Sequence, residues 1–260
     1  MPERRHIGWR RPYFLQHGSD GVNYGAAFRA IFRSEGWFMQ LVLLAVALLI
    51  PILGPIVVFG YGVEVEKTVL AGGAEAVLPR FDFGKFMEYV KLGAIPFVVG
   101  MVVGFASMPL TLGAYLLMVL PLAFGAPPVV GVACLIVGAL LLILFAVGIN
   151  FLALPMVLKS GLTGNFKDGF DFKFVMSFLR RVGGTMVLMT VVLFVMGFVG
   201  GIVGVLMCFV GLYLVVAWLF VSQSHLLGQL AALYVARGGT GLPEVTAPVI
   251  STRAFPVEQG

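Results

Sequence analysis

His225 is the residue with the best-defined chemistry near a long apolar run, and it follows Ser222, Gln223 and Ser224. A neutral imidazole is a good ligand for the metal of a heme or chlorophyll, so His225 is a candidate ligand for such a pigment. Its polar neighbours, and Gln229 one turn later, favour another interpretation. The helix would leave the lipid there, with His225 in an interhelical hydrogen bond or among headgroups. We favour this second interpretation and expect no bound cofactor.

Motifs for covalent or metal catalysis are missing from the sequence. Cys134 and Cys208 lie in apolar runs and form neither a Cys-x-x-Cys pair nor a His-Cys cluster. We interpret both as small buried side chains. The sequence also lacks a Walker loop, an HExxH zinc motif and a nucleophile elbow. We therefore expect no catalytic residue, no metal site and no enzymatic activity.

Two other polar positions border or interrupt the apolar runs. Asn150 lies inside a run, where an amide is costly in lipid and needs a partner across helices. Glu64 and Glu66, beside Lys67, could form a proton or cation site. Because they directly follow an apolar run, a solvated helix end is the interpretation we favour for them.

The helices that would position these residues are predicted by composition. The 260 residues are 60% hydrophobic and 11% charged, whereas about a quarter of a soluble domain is charged. The charges form four blocks separated by three runs without charge, 36–63, 92–158 and 182–236. A spanning helix needs about 20 apolar residues. We therefore predict an all-α integral membrane protein in which each of the two longer runs forms a helical hairpin.

Breaker residues predict where these two hairpins turn. The stretch Phe124-Gly125-Ala126-Pro127-Pro128 divides the first run, and Gly200, Gly201 and Gly204 divide the second. The resulting predicted spans are 94–122, 129–157, 184–200 and 205–235.

The shortest run, 36–63, suits either one tilted span or a hairpin broken at Pro51 and Pro55. Basic residues flanking spans favour the cytoplasm. Only the hairpin keeps all 17 Lys and Arg on one side, so it is the arrangement we predict. Its arms are short, which also allows a re-entrant pair. The prediction is six membrane-embedded helices with every charged segment cytoplasmic.

A phrase of aromatic, acidic and basic residues occurs twice, as FDFGKFMEYVKLG at 81–93 and FDFKFVMSFLRRVG at 170–183. Apolar residues recur at helical spacing in both, with basic residues opposite, which is typical of interfacial amphipathic helices. We predict that their cations bind lipid headgroups: Lys85, Lys91, Lys173, Arg180 and Arg181. Phe83, Phe86, Phe172 and Phe174 would anchor them below.

A weaker third copy begins at Asp20, and each copy precedes a predicted hairpin that ends in a basic residue and glycines. We therefore predict three repeat units at about 20–73, 81–163 and 170–240, each an interfacial helix followed by a hairpin. Together they form one transmembrane domain at 20–240. A basic arm at 1–19 and a tail at 241–260 flank it.

Small residues four apart mark the predicted helix-packing faces. Gly100 and Gly104 form one such pair, and Gly197 and Gly201 form the other. Close helix approach at small residues stabilises contacts in membranes. We expect these faces to pack the repeats together, or to meet a partner subunit.

The runs IPILGPIVVFGYG at 50–62, LPMVLKSGLTGNFKDGFDF at 154–172 and HLLGQLAALYVARGG at 225–239 resemble the prokaryotic membrane family called domain of unknown function 4013. The resemblance covers roughly 24–240. It implies a multi-pass protein of the cytoplasmic, or inner, membrane of a bacterium or archaeon, and it implies no activity.

Two functions are compatible with this sequence. The first is a non-catalytic accessory or scaffold subunit that packs laterally in a larger membrane complex, of respiratory or photosynthetic type. The second is a small permease or channel for an uncharged or lipid-like substrate. Because charged residues are missing from the apolar runs, we expect the accessory subunit. Its expected partners are membrane lipids and other membrane protein subunits, and not nucleic acid.

Overall fold

A computed structural model describes residues 21–207 and 210–243, and the regular structure within these ranges is entirely helical. The predicted all-α class is confirmed. The arm at 1–19, Cys208 and the tail from 244 onward lie outside the described residues. The eight α-helices are α1 (Tyr24–Arg29), α2 (Trp37–Leu48), α3 (Leu53–Gly72), α4 (Phe86–Ala123), α5 (Pro128–Thr163), α6 (Phe166–Gly169), α7 (Phe172–Leu206) and α8 (Val210–Ala236).

Four helices, α4, α5, α7 and α8, are long and apolar enough to cross a membrane. The chain is therefore a membrane protein. Helix α4 has 38 residues, which at 1.5 Å per residue makes it about 57 Å long. The hydrocarbon core of a bilayer is about 30 Å thick. Since α5, with 36 residues, is nearly as long, both helices extend well beyond the hydrocarbon.

The turn of the first long hairpin is where the sequence predicts it, between Ala123 and Pro128. The turn of the second is not, because α7 continues through its glycines to Leu206. A helix in lipid keeps its backbone hydrogen bonds through glycine, and glycine allows a neighbour to come close. A Cβ at Gly204 would lie 3.0 Å from the Leu212 backbone of α8. Gly204 therefore packs the hairpin instead of turning it.

The prediction of separate interfacial helices is wrong for both copies of the aromatic phrase. Residues 86–91 are the first turns of α4, and residues 172–181 are the first turns of α7, without a break before the apolar segment. On α7 the buried stripe is Phe174, Phe178 and Val182. It contacts the protein core, with the Phe174 and Phe178 rings against Tyr234 of α8. Phe174 and Phe178 therefore pack α7 against α8, and they do not mark a separate interfacial helix.

The repeated phrase marks helix starts. The Asp82 side chain accepts a hydrogen bond from the Gly84 N–H, and Asp171 accepts from the N–H groups of Lys173 and Phe174. Asn23 caps α1 in the same way. An Asp or Asn at this position satisfies N–H groups that the helix itself leaves free, and replacing it with alanine costs about 1 kcal/mol.

The predicted glycine stops are confirmed at the ends of α3 and α5. Gly73 follows α3 with φ of 82°, and Gly164 follows α5 with φ of 66°. Both lie in the left-handed region that glycine adopts without strain.

The run 36–63 forms two helices that separate at Pro51, as the hairpin interpretation requires. Helix α2 has only 12 residues, or about 18 Å, which is too short to cross the hydrocarbon. Helix α3 has 20 residues and contains Glu64, Glu66 and Lys67, and it is not among the four candidate spans. The described residues therefore provide four candidate spans instead of six.

Most of the buried core lies toward the ends of the long helices that carry charge. One cluster joins α5, α7 and α8 through Leu158, Phe178 and Leu230. A second joins α2, α3 and α8, with Leu44 and Tyr61 at its centre. The opposite halves of α4, α5 and α7 expose apolar side chains, as a lipid-facing surface does.

Charged residues that lie far apart in the sequence contact each other at this end. Arg33 pairs with Glu75. Arg181 and Arg237 each donate to the backbone carbonyl of the other. Lys159, whose side chain is 7% exposed, donates to Asp171 at 2.7 Å. This hydrogen bond, with those from the α7 backbone, lowers the pKa of Asp171.

Candidate functional site

A cavity of about 330 Å³ lies between α3, α4, α5 and α8. Each of these four helices contributes one face, since its lining residues lie at the three- and four-residue spacing of a helix. The lining residues are Phe59, Val63 and Glu66 of α3, Pro96 and Gly100 of α4, Asn150, Ala153, Leu154 and Val157 of α5, and Phe220, Gln223, Ser224 and Leu227 of α8. The wall is apolar apart from one carboxyl, two amides and one hydroxyl.

Glu66 is the most unusual group in this cavity. It is 5% exposed, and its buried Oε2 has no hydrogen-bond partner among the described residues. Burial raises the pKa of Glu66 well above its usual value, with Lys67 acting weakly in the other direction. The solvated helix end expected here is therefore not found for Glu66. Buried polar groups are normally paired, so an unpaired carboxyl beside a cavity is a candidate binding group.

The other polar groups of the cavity leave hydrogen-bonding capacity free. Asn150 donates from Nδ2 to the Ala146 carbonyl of its own helix at 2.9 Å. Its side-chain oxygen is not used in that bond. The partner across helices that the sequence led us to expect is not found for Asn150 in the described part of the chain. Its amide can therefore turn toward a guest.

Tight packing of α3 against its neighbours brings the cavity walls together. A Cβ at Gly60 would lie 2.0 Å from the Tyr89 carbonyl oxygen of α4, and one at Gly93 would lie 1.9 Å from the Ile56 carbonyl oxygen. A Cβ at Gly62 would lie 2.7 Å from Ser224 Oγ of α8. Only glycine permits such approaches, so these positions determine how α4 and α8 enclose α3.

The predicted packing glycines make looser contacts. A Cβ at Gly100 would lie 3.8 Å from Val157, and one at Gly197 would lie 3.5 Å from Leu219, both ordinary distances. At Gly104 and Gly201 a Cβ would have no described atom within 4 Å. The internal contact expected at Gly104 and Gly201 is therefore not found within the described ranges.

His225 is fully buried beside this cavity and does not line it. Its Nδ1 lies 3.0 Å from Gln229 Nε2 on the same helix, and its Nε2 has no described partner. Protein atoms surround the ring, and the side chain is 0% exposed. The link between helices is made by Gln229, which accepts from the Asn23 N–H at 2.7 Å and donates to the Asn23 carbonyl at 3.1 Å.

The predicted headgroup cations are all exposed. Lys173, Arg180 and Arg181 border a shallow surface groove of about 680 Å³ on α7. Lys85 precedes α4 and Lys91 lies in its second turn, so these two form a separate group. The structure thus brings together three of the five.

Within the described residues no cluster of three or more His, Cys, Asp or Glu side chains could hold a metal ion. Cys134 is a free thiol, half-buried on α5. The sequence interpretation considered a proton or cation site at Glu66 but favoured a solvated helix end, and it overlooked the cavity and the Gly60–Gly93 contact. The glycines at 60 and 62, so near Glu66, were the available signal.

A search of curated proteins and a search of solved structures each give no match. The model of one protein family matches residues 43–209, which is more than half of the chain. The chain belongs to the family described as protein of unknown function DUF4013.

Proposed function

We propose that this protein is a non-enzymatic permease that binds a small solute in the cavity between α3, α4, α5 and α8. The observation that carries this proposal is the buried carboxyl of Glu66, unpaired among the described residues, at the wall of a 330 Å³ space. That volume is at the lower end of the roughly 300–1,000 Å³ of small-molecule sites. Ionisable groups in membrane proteins are costly, and they are usually retained for a function.

The preference for an accessory subunit rested on the lack of charged residues in the apolar runs. Glu66 lies three residues past the end of such a run and is nevertheless buried. This burial favours the permease over the scaffold. The carboxyl of Glu66 also favours a polar solute over the uncharged or lipid-like substrate first considered.

The permease is tested by solute flux into liposomes that contain the purified protein. The panel comprises a small amine, a small polyol and a small carboxylic acid. Ala153→Trp fills the cavity, and Ala146→Trp, an exposed position on the same helix, is the matched control. We expect one solute class to cross faster than in protein-free liposomes, with Ala153→Trp removing the flux and Ala146→Trp retaining it. Flux at the protein-free rate for all three classes would refute the permease.

The proposal also includes the number of spans and their orientation in the membrane. We place four spans in the inner membrane of a prokaryote, with α2 and α3 as a re-entrant pair and the charged segments cytoplasmic. The preference of basic residues for the cytoplasm supports this orientation. The exposed cations of α4 and α7 would then contact anionic headgroups, at about 1 kcal/mol each. In a variant with both native cysteines replaced, single cysteines at Ser19, Ala74, Thr163 and Thr240 should all be labelled from the cytoplasmic side. Labelling from opposite sides would refute the arrangement.

An accessory subunit remains the second candidate, because the apolar halves of α4 and α7 are exposed at Gly104 and Gly201. This function predicts purification from native membranes in a fixed ratio with a larger complex. Gly201→Leu should then release the partner while the fold persists, since a Cβ at Gly201 meets no described atom. Isolation of the chain without a stoichiometric partner would contradict it.

A further inference from the structure

We propose that the cavity binds a small organic cation, with an alkylated ammonium group against Glu66 and beside the aromatic wall of Phe59 and Phe220. This inference rests on the proposed permease function and names its class of substrate. The argument compares what each class of solute would find among the groups that line the cavity.

The carboxyl of Glu66 determines which charge the preferred guest carries. It is the one acidic side chain among the lining residues, and these include no basic residue. An anion would meet a like charge without a counter-charge, and a neutral guest could hydrogen-bond the carboxyl but would leave its charge unbalanced. A cation would place an opposite charge beside it, which favours the ionised form of a buried carboxyl.

The remaining wall favours an organic cation over a metal ion. Calcium takes six to eight oxygen ligands, and magnesium demands six in octahedral geometry. The cavity offers one carboxyl together with Asn150, Gln223 and Ser224, and most of its wall is hydrocarbon. Alkyl groups on an ammonium would cover that hydrocarbon, whereas a metal ion would be left without ligands.

Two aromatic rings complete the match. Phe59 and Phe220 both line the cavity, with their ring centroids 5.4 Å apart and their planes at 69°. A cation over an aromatic face is attracted by the negative charge at the centre of the ring, and quaternary ammonium groups are bound in this way. Carboxyl, amides and aromatic rings therefore surround one small space.

The charge of Glu66 couples this binding to pH. The other lining residues of α3, α4, α5 and α8 do not ionise near neutral pH; Lys67 is the neighbouring charge on α3, and His225 on α8 faces Gln229. Burial raises the pKa of Glu66, so a proton competes with a bound cation for its carboxyl at pH values below that pKa. Affinity for a cation of fixed charge should therefore increase up to about tenfold per pH unit below that pKa.

The test uses the full chain in lipid nanodiscs and two probes of the same shape. Choline carries a quaternary ammonium, and 3,3-dimethylbutan-1-ol has a neutral carbon in its place. We expect saturable calorimetric binding of choline, no measurable binding of the alcohol, and tighter choline binding as the pH rises. Glu66→Gln should remove choline binding. Glu64→Gln, a partly exposed carboxyl on the same helix, should retain it.

Each other result has a defined meaning. Equal binding of the alcohol and choline, insensitive to Glu66→Gln, would overturn the cation proposal and leave a permease for neutral solutes. Flux of a polyol or an acid without choline binding would overturn it in the same way. Absence of both binding and flux for every probe would overturn the inference and the permease together.

Discussion

Replacing Glu66 should stabilise the empty protein. Its buried Oε2 makes no described hydrogen bond, so Glu66→Leu removes a desolvated group without breaking a contact. A buried polar group without a partner costs about 1–3 kcal/mol. For a chain of this size, each kcal/mol raises the melting temperature by roughly 2–4 °C. We therefore expect Glu66→Leu to melt about 2–12 °C above the wild type.

The pH dependence of this gain has a defined sign. The folded pKa of Glu66 is raised, so the folded state holds a proton that the unfolded state loses near pH 4.5. Wild-type stability should therefore decrease as the pH rises from there through the raised folded pKa. The advantage of Glu66→Leu should grow over the same window.

Melting in detergent, followed by circular dichroism from pH 5 to pH 8 without added solute, measures both effects. Glu64→Leu is the control, since its carboxyl is partly exposed and its removal should raise the melting temperature less than Glu66→Leu does. A lower melting temperature for Glu66→Leu than for the wild type would show that the carboxyl stabilises the fold. The proposal that Glu66 is kept for binding a solute would then fail.

Three other substitutions test the packing and the polar contacts. Gly60→Ala should prevent normal folding or lower the melting temperature strongly, since its Cβ would lie 2.0 Å from the Tyr89 carbonyl oxygen. Gly104→Ala, the control, should have little effect. Equal melting temperatures for the two variants would contradict the close α3–α4 approach. Gln229→Leu should destabilise by about 1–3 kcal/mol in urea unfolding, because the Asn23 N–H loses its acceptor. The Asn23 carbonyl still accepts from the Ala27 N–H. A loss no larger than that of Asn150→Ala would refute this link. Asp171→Asn should cost about 1–2 kcal/mol at pH 7, less than a fully buried pair because Asp171 is 40% exposed. That loss should vanish as the pH falls through the lowered pKa of Asp171, and a loss independent of pH would exclude the ion pair as its cause.

The sequence predicted the helical class and the tip of the first hairpin because both depend on local features. Apolar length specifies a spanning helix, and Gly125 with Pro127 and Pro128 ends one helix and begins the next. The stops at Gly73 and Gly164 are equally local, since each needs a positive φ.

The separate interfacial helices were predicted wrongly because an amphipathic pattern does not identify what covers its apolar face. On α7 the expected anchor Phe174 packs with Phe178 against Tyr234 of α8 instead of acyl chains, whereas the other expected anchor, Phe172, is exposed. Nothing between Phe172 and Gly183 interrupts the helix. The boundary between the interfacial and the spanning segment was inferred from charge alone, and a change in charge does not end a helix.

The cavity could not be found from the apolar runs, because a run ends at its first charge whereas a helix does not. Helix α3 continues nine residues past Val63 to Gly72, and Glu66 lies within that extension. The small residues at 60 and 62 allow α4 and α8 to approach α3 closely. The cost of a buried carboxyl depends on this enclosure and not on the hydropathy of the neighbouring sequence. The pattern that would have indicated Glu66 as a binding group is therefore a carboxyl one turn beyond closely spaced glycines. The helix that carries it must also extend past the end of its apolar run.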